Sequence, residues 1–341
     1  MKKAKTDPLF PVLLLGLAAD AFLENRIDLW SRVGLLALLP AALTIGTIGW
    51  LAQRAAAGLP PSAAALAGAP LLVFSAAVEI LRLNALYAAL YPSTLNLLTV
   101  GAALLLPGVF LRRNAALVRT AQVLLALLPV CLGVLLLSVA ARLRVSNLQS
   151  VPVTRASLTY AWKARLWLRP EYLLPGFLPA LSARRSVSRQ GMPFRLALSA
   201  GLLAAAFHLL LELFFGAGLP GVENPLHSAA RCGALSVFNR LEWLQLALWT
   251  MAVTVRLALY LYAASRLCGT AIRAQSPADS LLPFGLCAGA VLFLAGTLRI
   301  MPLSGLQRLQ NRLIWGCALA EILTGEGRTW IQRLKRTLGK S

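Results

Sequence analysis

Charged side chains are scarce in this sequence, and acidic ones most of all. Only 12 of 341 residues are Asp or Glu, and all charged residues together make up 13%, about half the share found in a soluble domain. So few charges cannot cover a water-facing surface, and most of the surface must meet lipid. Histidine is rarer still, at two residues, too few for a His-based metal centre. The five cysteines, Cys131, Cys232, Cys268, Cys287 and Cys317, are odd in number, widely spaced and never arranged C-x-x-C. They read as small buried apolar residues, neither zinc ligands nor a disulfide framework. The sequence also lacks G-x-x-x-x-G-K-[ST], H-E-x-x-H, G-x-S-x-G and a paired acidic D-D-x-x-D cluster. It therefore predicts no metal, no cofactor and no enzymatic chemistry.

What is abundant is apolar sequence: 58% of residues are hydrophobic and the mean hydropathy is +0.72. At about 20 residues per crossing, the length predicts one all-α polytopic membrane domain of about ten helices. Apolar runs occupy 33–52, 63–87, a stretch from the Tyr91-Pro92-Ser93 turn to Leu111, 120–141, 194–215, 241–265, 281–298 and 309–324. Two further runs are short. Residues 8–19 read as a short first span, broken near Gly16 or Asp20, although Ala19-Asp20-Ala21 also fits a signal-peptide cleavage site. Residues 171–181 contain Pro175, Gly176 and Pro179, the pattern of a discontinuous helix whose unwound backbone is free for a ligand. The expected organisation is a cytoplasmic N-terminus at 1–7, membrane helices over 8–324 and a basic cytoplasmic tail at 325–341.

The net charge of +21 comes from 33 Lys and Arg, concentrated between the apolar runs. It points to headgroups and the positive-inside rule, with the lipid bilayer as partner and no nucleic acid. More than half of the basic residues fall in loops on one side if both termini are inside. Six of the rest lie in the single connection from Arg142 to Arg169, and long loops weigh least in that rule.

Ionisable residues inside apolar runs cost at least ~2.5–3.5 kcal/mol each and need a partner, a water-filled cavity or a function. Ser75, Glu79 and Arg82 share one helical face, and Glu79 with Arg82 at i,i+3 can pair. His208 and Glu212 share another face. In the eighth span Glu242, Gln245, Trp249, Arg256 and Tyr260 fall within about a 60° arc at 100° per residue. Arg256 lies too deep to snorkel, so this stripe must face protein or water. It is either an internal structural charge or the wall of a ligand cavity, balanced by Glu79 or Glu242; since Glu242 lies fourteen residues, about 21 Å, along the same helix, Glu79 or a ligand carboxylate is favoured.

The same segment carries a family resemblance. Phe238-Asn239-Arg240-Leu241-Glu242, then Trp249, then Val255-Arg256-Leu257-Ala258-Leu259-Tyr260-Leu261-Tyr262-Ala263-Ala264, resembles the eighth-span pattern of the spore germination permeases, the B subunits of nutrient germinant receptors. Phe215-Gly216 with Asn224-Pro225-Leu226, and Val118-Arg119 followed by Ser146-Asn147-Leu148-Gln149-Ser150-Val151-Pro152, are similar to further elements of that family. Residues 171–179 stand where its broken sixth helix stands. The resemblance covers about residues 65–325, through short motifs whose order and spacing agree.

It implies an inverted-repeat (LeuT-like) transporter fold of the amino acid–polyamine–organocation type, with the first helix short or degenerate. It further implies a small amino-acid-like ligand, assembly with A- and C-type receptor subunits, and residence in the inner membrane of an endospore or the bacterial cell membrane. The expected ligand-binding set is Glu79, Arg82, Gly176, Phe177, Glu242, Gln245, Trp249, Arg256 and Tyr260. The leading expectation is a germinant-sensing subunit that triggers spore germination. An amino-acid or polyamine transporter, and a binding-incompetent scaffold subunit suggested by the short first span, are the competing readings.

Overall fold

The structure, a computed structural model, describes residues 9–21, 32–56, 61–90, 97–111, 113–148, 152–177, 191–222, 224–235, 238–239, 242–271 and 281–338. Over these residues the chain is essentially all helical: α1 (Phe10–Ala21), α2 (Arg32–Ala56), α3 (Pro61–Leu90), α4 (Leu97–Leu111), α5 (Asn114–Val139), α6 (Arg155–Arg165), α7 (Pro170–Phe177), α8 (Met192–Phe215), α9 (Pro225–Cys232), α10 (Glu242–Ala271), α11 (Leu281–Leu298) and α12 (Leu303–Leu338). A two-residue antiparallel ladder, β1 (Ala234–Leu235) with β2 (Phe238–Asn239), leads into α10. The start of the expected eighth-span motif, Phe238-Asn239, is therefore extended, and the helix begins at Glu242.

Six described helices are long and apolar enough to cross a membrane, namely α2, α3, α5, α8, α10 and α11, which makes this a multi-pass membrane protein; α1 and α4 are shorter apolar helices. Of the ten expected spans, two have a different character. α7 has eight described residues, about 12 Å of helix at 1.5 Å per residue. The expected 309–324 span and the basic tail belong to one uninterrupted helix, α12; the side chains of residues 325–341, the N-terminal residues 1–7, the Tyr91-Pro92-Ser93 turn and Pro179 lie outside the described residues. Prolines 40, 70, 107 and 129 sit within α2, α3, α4 and α5, as membrane helices tolerate when neighbours re-satisfy the freed backbone groups.

Burial orders the bundle. In the apolar window of α10, 78% of residues are buried, against 28% in those of α5 and α11, so α10 is the central helix and the other two face outward. Long apolar side chains such as Leu137, Phe110 and Phe293 are exposed on that outer surface, where lipid is the natural neighbour. α10 packs on α3, α4, α1, α5 and α11, while α2 packs on α8, α12, α6 and α7.

Small residues set three close antiparallel pairings. Along α2 and α8, a Cβ at Gly201 would lie 3.1 Å from Ala42 Cβ, one at Gly46 would meet Phe194, and one at Gly49 would meet Pro193. Along α3 and α10, Gly68 faces Leu267, Glu79 reaches Arg256 and the Tyr87 hydroxyl meets that of Thr250 at 2.7 Å. Along α4 and α11, Gly101 faces Leu292 and Gly108 faces Phe284. Without a hydrophobic drive between helices in lipid, such close backbone approach is what holds them.

α1 is a core element despite its twelve residues. Val12, Leu13, Leu15, Ala18 and Ala19 are buried against α10, α8 and α5. The helix runs through Gly16 and Asp20, so the expected break at either position is not present. Gly16 instead admits Glu171, whose Oε1 lies 2.7 Å from where a Cβ would stand. Likewise Pro175 and Gly176 are helical in α7, which corrects the expected unwinding there; Gly176 serves close contact with α2 at Gln53 and Ala56. Cys287 is buried and Cys131, Cys268 and Cys317 are half-buried, but Cys232 is exposed at the end of α9, unlike the expected buried cysteine, because α9 is a short amphipathic helix with its opposite face inward.

The α2–α8 register predicts that Ala42→Cys with Gly201→Cys, in a background without the native cysteines, forms a disulfide on mild oxidation, since the two Cβ positions are 3.1 Å apart and the helices need ease by only a few tenths of an ångström to reach the bridging range of about 3.5–4.5 Å. A gel-shift assay on membranes reads it, with Leu39→Cys paired to Gly201→Cys staying reduced.

Candidate functional site

The only ways to keep an arginine at mid-bundle are to pair it or to water it. Arg256 is fully buried on α10, fourteen residues or about 21 Å along the axis from Glu242. Three elements bring carboxylates to it. Glu171, at the start of α7, accepts from Arg256 Nε at 2.7 Å and Nη2 at 3.3 Å. Asp20, near the end of α1, accepts from Nη1 and Nη2, both at 3.0 Å. Glu79 on α3 accepts from Nη1 at 3.2 Å. Two carboxylates thus grip the fork side-on, the strongest geometry available to a guanidinium, and every nitrogen of Arg256 has at least one acceptor. Tyr260, one turn along α10, donates to Glu171 Oε1 at 2.9 Å and lies 2.9 Å from Arg256 Nε.

Two more arginines close the cluster around Asp20. Arg82 on α3 donates to Asp20 Oδ1 at 2.5 Å, and Arg169, just before α7, pairs with Asp20 Oδ2 at 2.8 Å. The i,i+3 pair expected within α3 is present but long, with Arg82 3.7 Å from Glu79. Three carboxylates and three guanidiniums therefore meet at one junction of α1, α3, α7 and α10, formally neutral as a set. Trp249 Nε1 donates to the Ala19 carbonyl at 3.1 Å, which fixes the end of α1 and hence the position of Asp20.

The junction opens on a cavity of about 550 Å³ toward the end of the bundle where α10 begins, within the usual size range for small-molecule sites. Asp20, Arg82, Arg165 and Arg169 supply its charge, Trp167 and Tyr172 its aromatic wall, and small or aliphatic residues of α2 and α8, among them Ala41, Ala42, Ile45, Ala200 and Gly201, its apolar wall. Arg165 also lies 2.8 Å from His208 Nδ1, and His208 Nε2 lies 3.4 Å from Glu212. The expected His208–Glu212 face is thus buried in the protein beside the cavity.

Of the expected binding residues, Glu79, Arg82, Arg256 and Tyr260 meet in the cluster, and Trp249 braces it. The remainder lie elsewhere. Gln245 faces His227 of α9, 3.3 Å from its Nδ1, and Glu242 is buried at the head of α10, so the stripe divides into an end part and a central part. Gly176 packs on α2 and Phe177 beside Gly68. Glu79, rather than Glu242, reaches Arg256, yet the shorter bonds come from Asp20 and Glu171, which were not expected. Their signal in the sequence was their rarity: each is an acid bordering an apolar run in a chain with 12 acids. No group of His, Cys, Asp and Glu among the described residues is disposed to hold a metal ion, and the three carboxylates are turned onto guanidinium.

Two stretches that carried the family resemblance also touch. Asn147 Nδ2 donates to the Leu213 carbonyl at 2.9 Å at the end of α8, and Gly216 holds φ +54° with Asn147 3.0 Å from where a Cβ would stand. The positive φ and the close approach both call for glycine. Compared with known proteins, the chain matches no family model and no characterised sequence.

Removing the central guanidinium takes from buried Glu171 its arginine partner and leaves buried Glu79 with Arg82 at 3.7 Å, while Asp20 keeps Arg82 and Arg169. Arg256→Met is expected to destabilise the protein by about 3–5 kcal/mol, the cost of breaking a buried ion pair from one side. Arg256→Lys, which keeps the charge but cannot grip two carboxylates side-on, should lose less. Thermal unfolding in detergent, followed by size-exclusion fluorescence, ranks the two; equal stability of Arg256→Met and wild type would show that the cluster is not what holds α1 and α7.

Proposed function

We propose that this protein is the membrane subunit of a nutrient germinant receptor, which binds a small amino-acid-like germinant and triggers spore germination. The observation that carries the reading is the junction of α1, α3, α7 and α10, where a neutral cluster of six charges borders a cavity of ligand size. Charges buried at this depth are expensive and mark functional sites in membrane proteins by default. In the resembled family, the first and sixth spans jointly form the ligand site; α1 and α7 take those places and contribute Asp20 and Glu171.

The helix pairing supports the transporter-type frame. If α1 to α5 form one half and α7, α8, α10, α11 and α12 the other, then α2 with α8, α3 with α10 and α4 with α11 are equivalents, and each such pair packs antiparallel, as inverted repeats require. α6 and α9 are then insertions at the cavity end. The short first span favoured a scaffold role, but α1 still delivers Asp20 to the cluster, which supports a working ligand site. The A- and C-type subunits and the spore inner membrane belong to this proposal through the resemblance.

The same cavity and pairing serve a plain amino-acid transporter, and flux separates the two. In spores, Arg169→Gln should raise the germinant concentration for half-maximal response by at least about tenfold, the loss of one charge-assisted contact, with normal amounts of protein in the membrane. In proteoliposomes, the wild-type chain should bind the germinant without accumulating it. Concentrative uptake would favour the transporter, and an unchanged dose response would remove the cavity from germinant sensing.

A further inference from the structure

The position of Asp20 resembles that of a bound ligand more than that of a structural acid. Its two oxygens accept from guanidiniums of three separate arginines: Arg82 and Arg256 at Oδ1, Arg256 and Arg169 at Oδ2. Arg256 keeps Glu79 and Glu171 without it. Arg82 and Arg169 line the cavity, Asp20 is its single acidic lining residue among the described residues, and its side chain is 19% exposed where that of Arg256 is wholly buried. The connection that brings Arg165 and Arg169 to the cavity is basic as well. The connection 140–169 holds six Lys and Arg with no Asp or Glu, and Arg142, Arg144, Arg155 and Lys163 on it are exposed. A one-sign stretch of this kind raises the local concentration of anions. The opposite wall, of Leu38, Ala41, Ala42, Ala200 and Gly201, offers an apolar body space but no hydrogen bonds from side chains.

We infer that the cavity is specific for a small carboxylate with an apolar body, and that Asp20 is a tethered stand-in for that carboxylate, displaced from Arg82 and Arg169 when the ligand binds. This rests on the cavity being a ligand site, as in the germinant-receptor reading, and adds the ligand's chemical class and the group it must displace. The free acid and the carboxylate end of an amino acid share this chemistry. Because α1 carries Asp20 in its last described turn, exchange of one carboxylate for another keeps Arg82 and Arg169 paired and turns the released Asp20 carboxylate to the water of the cavity, which loosens that turn of α1 and is a route from ligand to conformational change.

The test uses the full chain in lipid nanodiscs at constant ionic strength. First, thermal unfolding of Asp20→Ala is followed with acetate, with acetamide as the neutral isostere. Acetate should raise its melting temperature, acetamide should not, and the wild type should respond to neither. Second, binding of three matched probes is measured by calorimetry: 4-methylpentanoate, L-leucine and isoamylamine. Asp20→Asn, which keeps the side-chain volume but removes the internal competitor, should bind 4-methylpentanoate about tenfold or more tightly than wild type, as lifting a competing state does. Isoamylamine should bind neither, and L-leucine binding alongside 4-methylpentanoate would assign the carboxylate to an amino acid. Arg169→Gln, in the otherwise native chain, should weaken the carboxylate probe and serves if Asp20→Ala does not fold.

Indifference of Asp20→Ala to acetate, weaker or unchanged carboxylate binding by Asp20→Asn, undiminished carboxylate binding by Arg169→Gln, or binding of the amine would overturn the inference. Amine binding would leave the cavity a ligand site of another class. Binding of none of the three probes to either Asp20→Asn or wild type would overturn the inference and count against the ligand-site reading beneath it.

Discussion

A guanidinium that water cannot reach has to be satisfied by protein, and the fold around Arg256 is shaped by that requirement. Five N–H donors point outward in a plane, and no single helix can supply acceptors around the whole of that plane. The chain draws them from α1, α3 and α7, so three elements far apart in sequence are held at one point on the central helix α10. Two of those elements contribute short described stretches, twelve residues of α1 and eight of α7. Their fixed positions follow from the ion cluster, the Trp249 bond to Ala19 and the packing of Gly16 against Glu171.

Helix positions were legible in the sequence because the signal for them is local. Runs such as 194–215 and 281–298 are apolar with no alternative use, and the structure places α8 and α11 there within two residues. The central stripe of α10 was legible for the same reason, since 100° per residue puts Trp249, Arg256 and Tyr260 on one face whatever surrounds them. That Asp20 and Glu171 reach Arg256 was not legible, although the roughly 21 Å along one helix between Glu242 and Arg256 already favoured Glu79. Periodicity reports the face of a residue on its own helix and carries nothing about the angle or register between helices, and those bring α1 and α7 to the guanidinium.

The misreadings share a cause, because each is a residue type with two physical uses. Gly176 beside Pro175 fits an unwound backbone and fits close helix contact equally; in the structure the contact with α2 takes it. Asp20 between alanines fits a cleavage site, a helix break and a buried ion pair, and only the presence of Arg82, Arg169 and Arg256 within 3.0 Å selects the last.

The cluster also explains why so acid-poor a chain spends three of its acids at one place. Formal neutrality of the six charges lets them stay buried, yet neutrality alone would be met more cheaply by apolar side chains of equal volume, because buried ion pairs gain little net stability over such replacements. What six paired charges provide and an apolar plug does not is exchangeability: in the proposed exchange a carboxylate arriving in the cavity takes the place of Asp20 on Arg82 and Arg169, and the released side chain, already partly exposed, turns to water. An arrangement that is costly to build, near neutral in stability and open to exchange on its cavity side is the arrangement expected where ligand recognition, and not stability, fixes the residues.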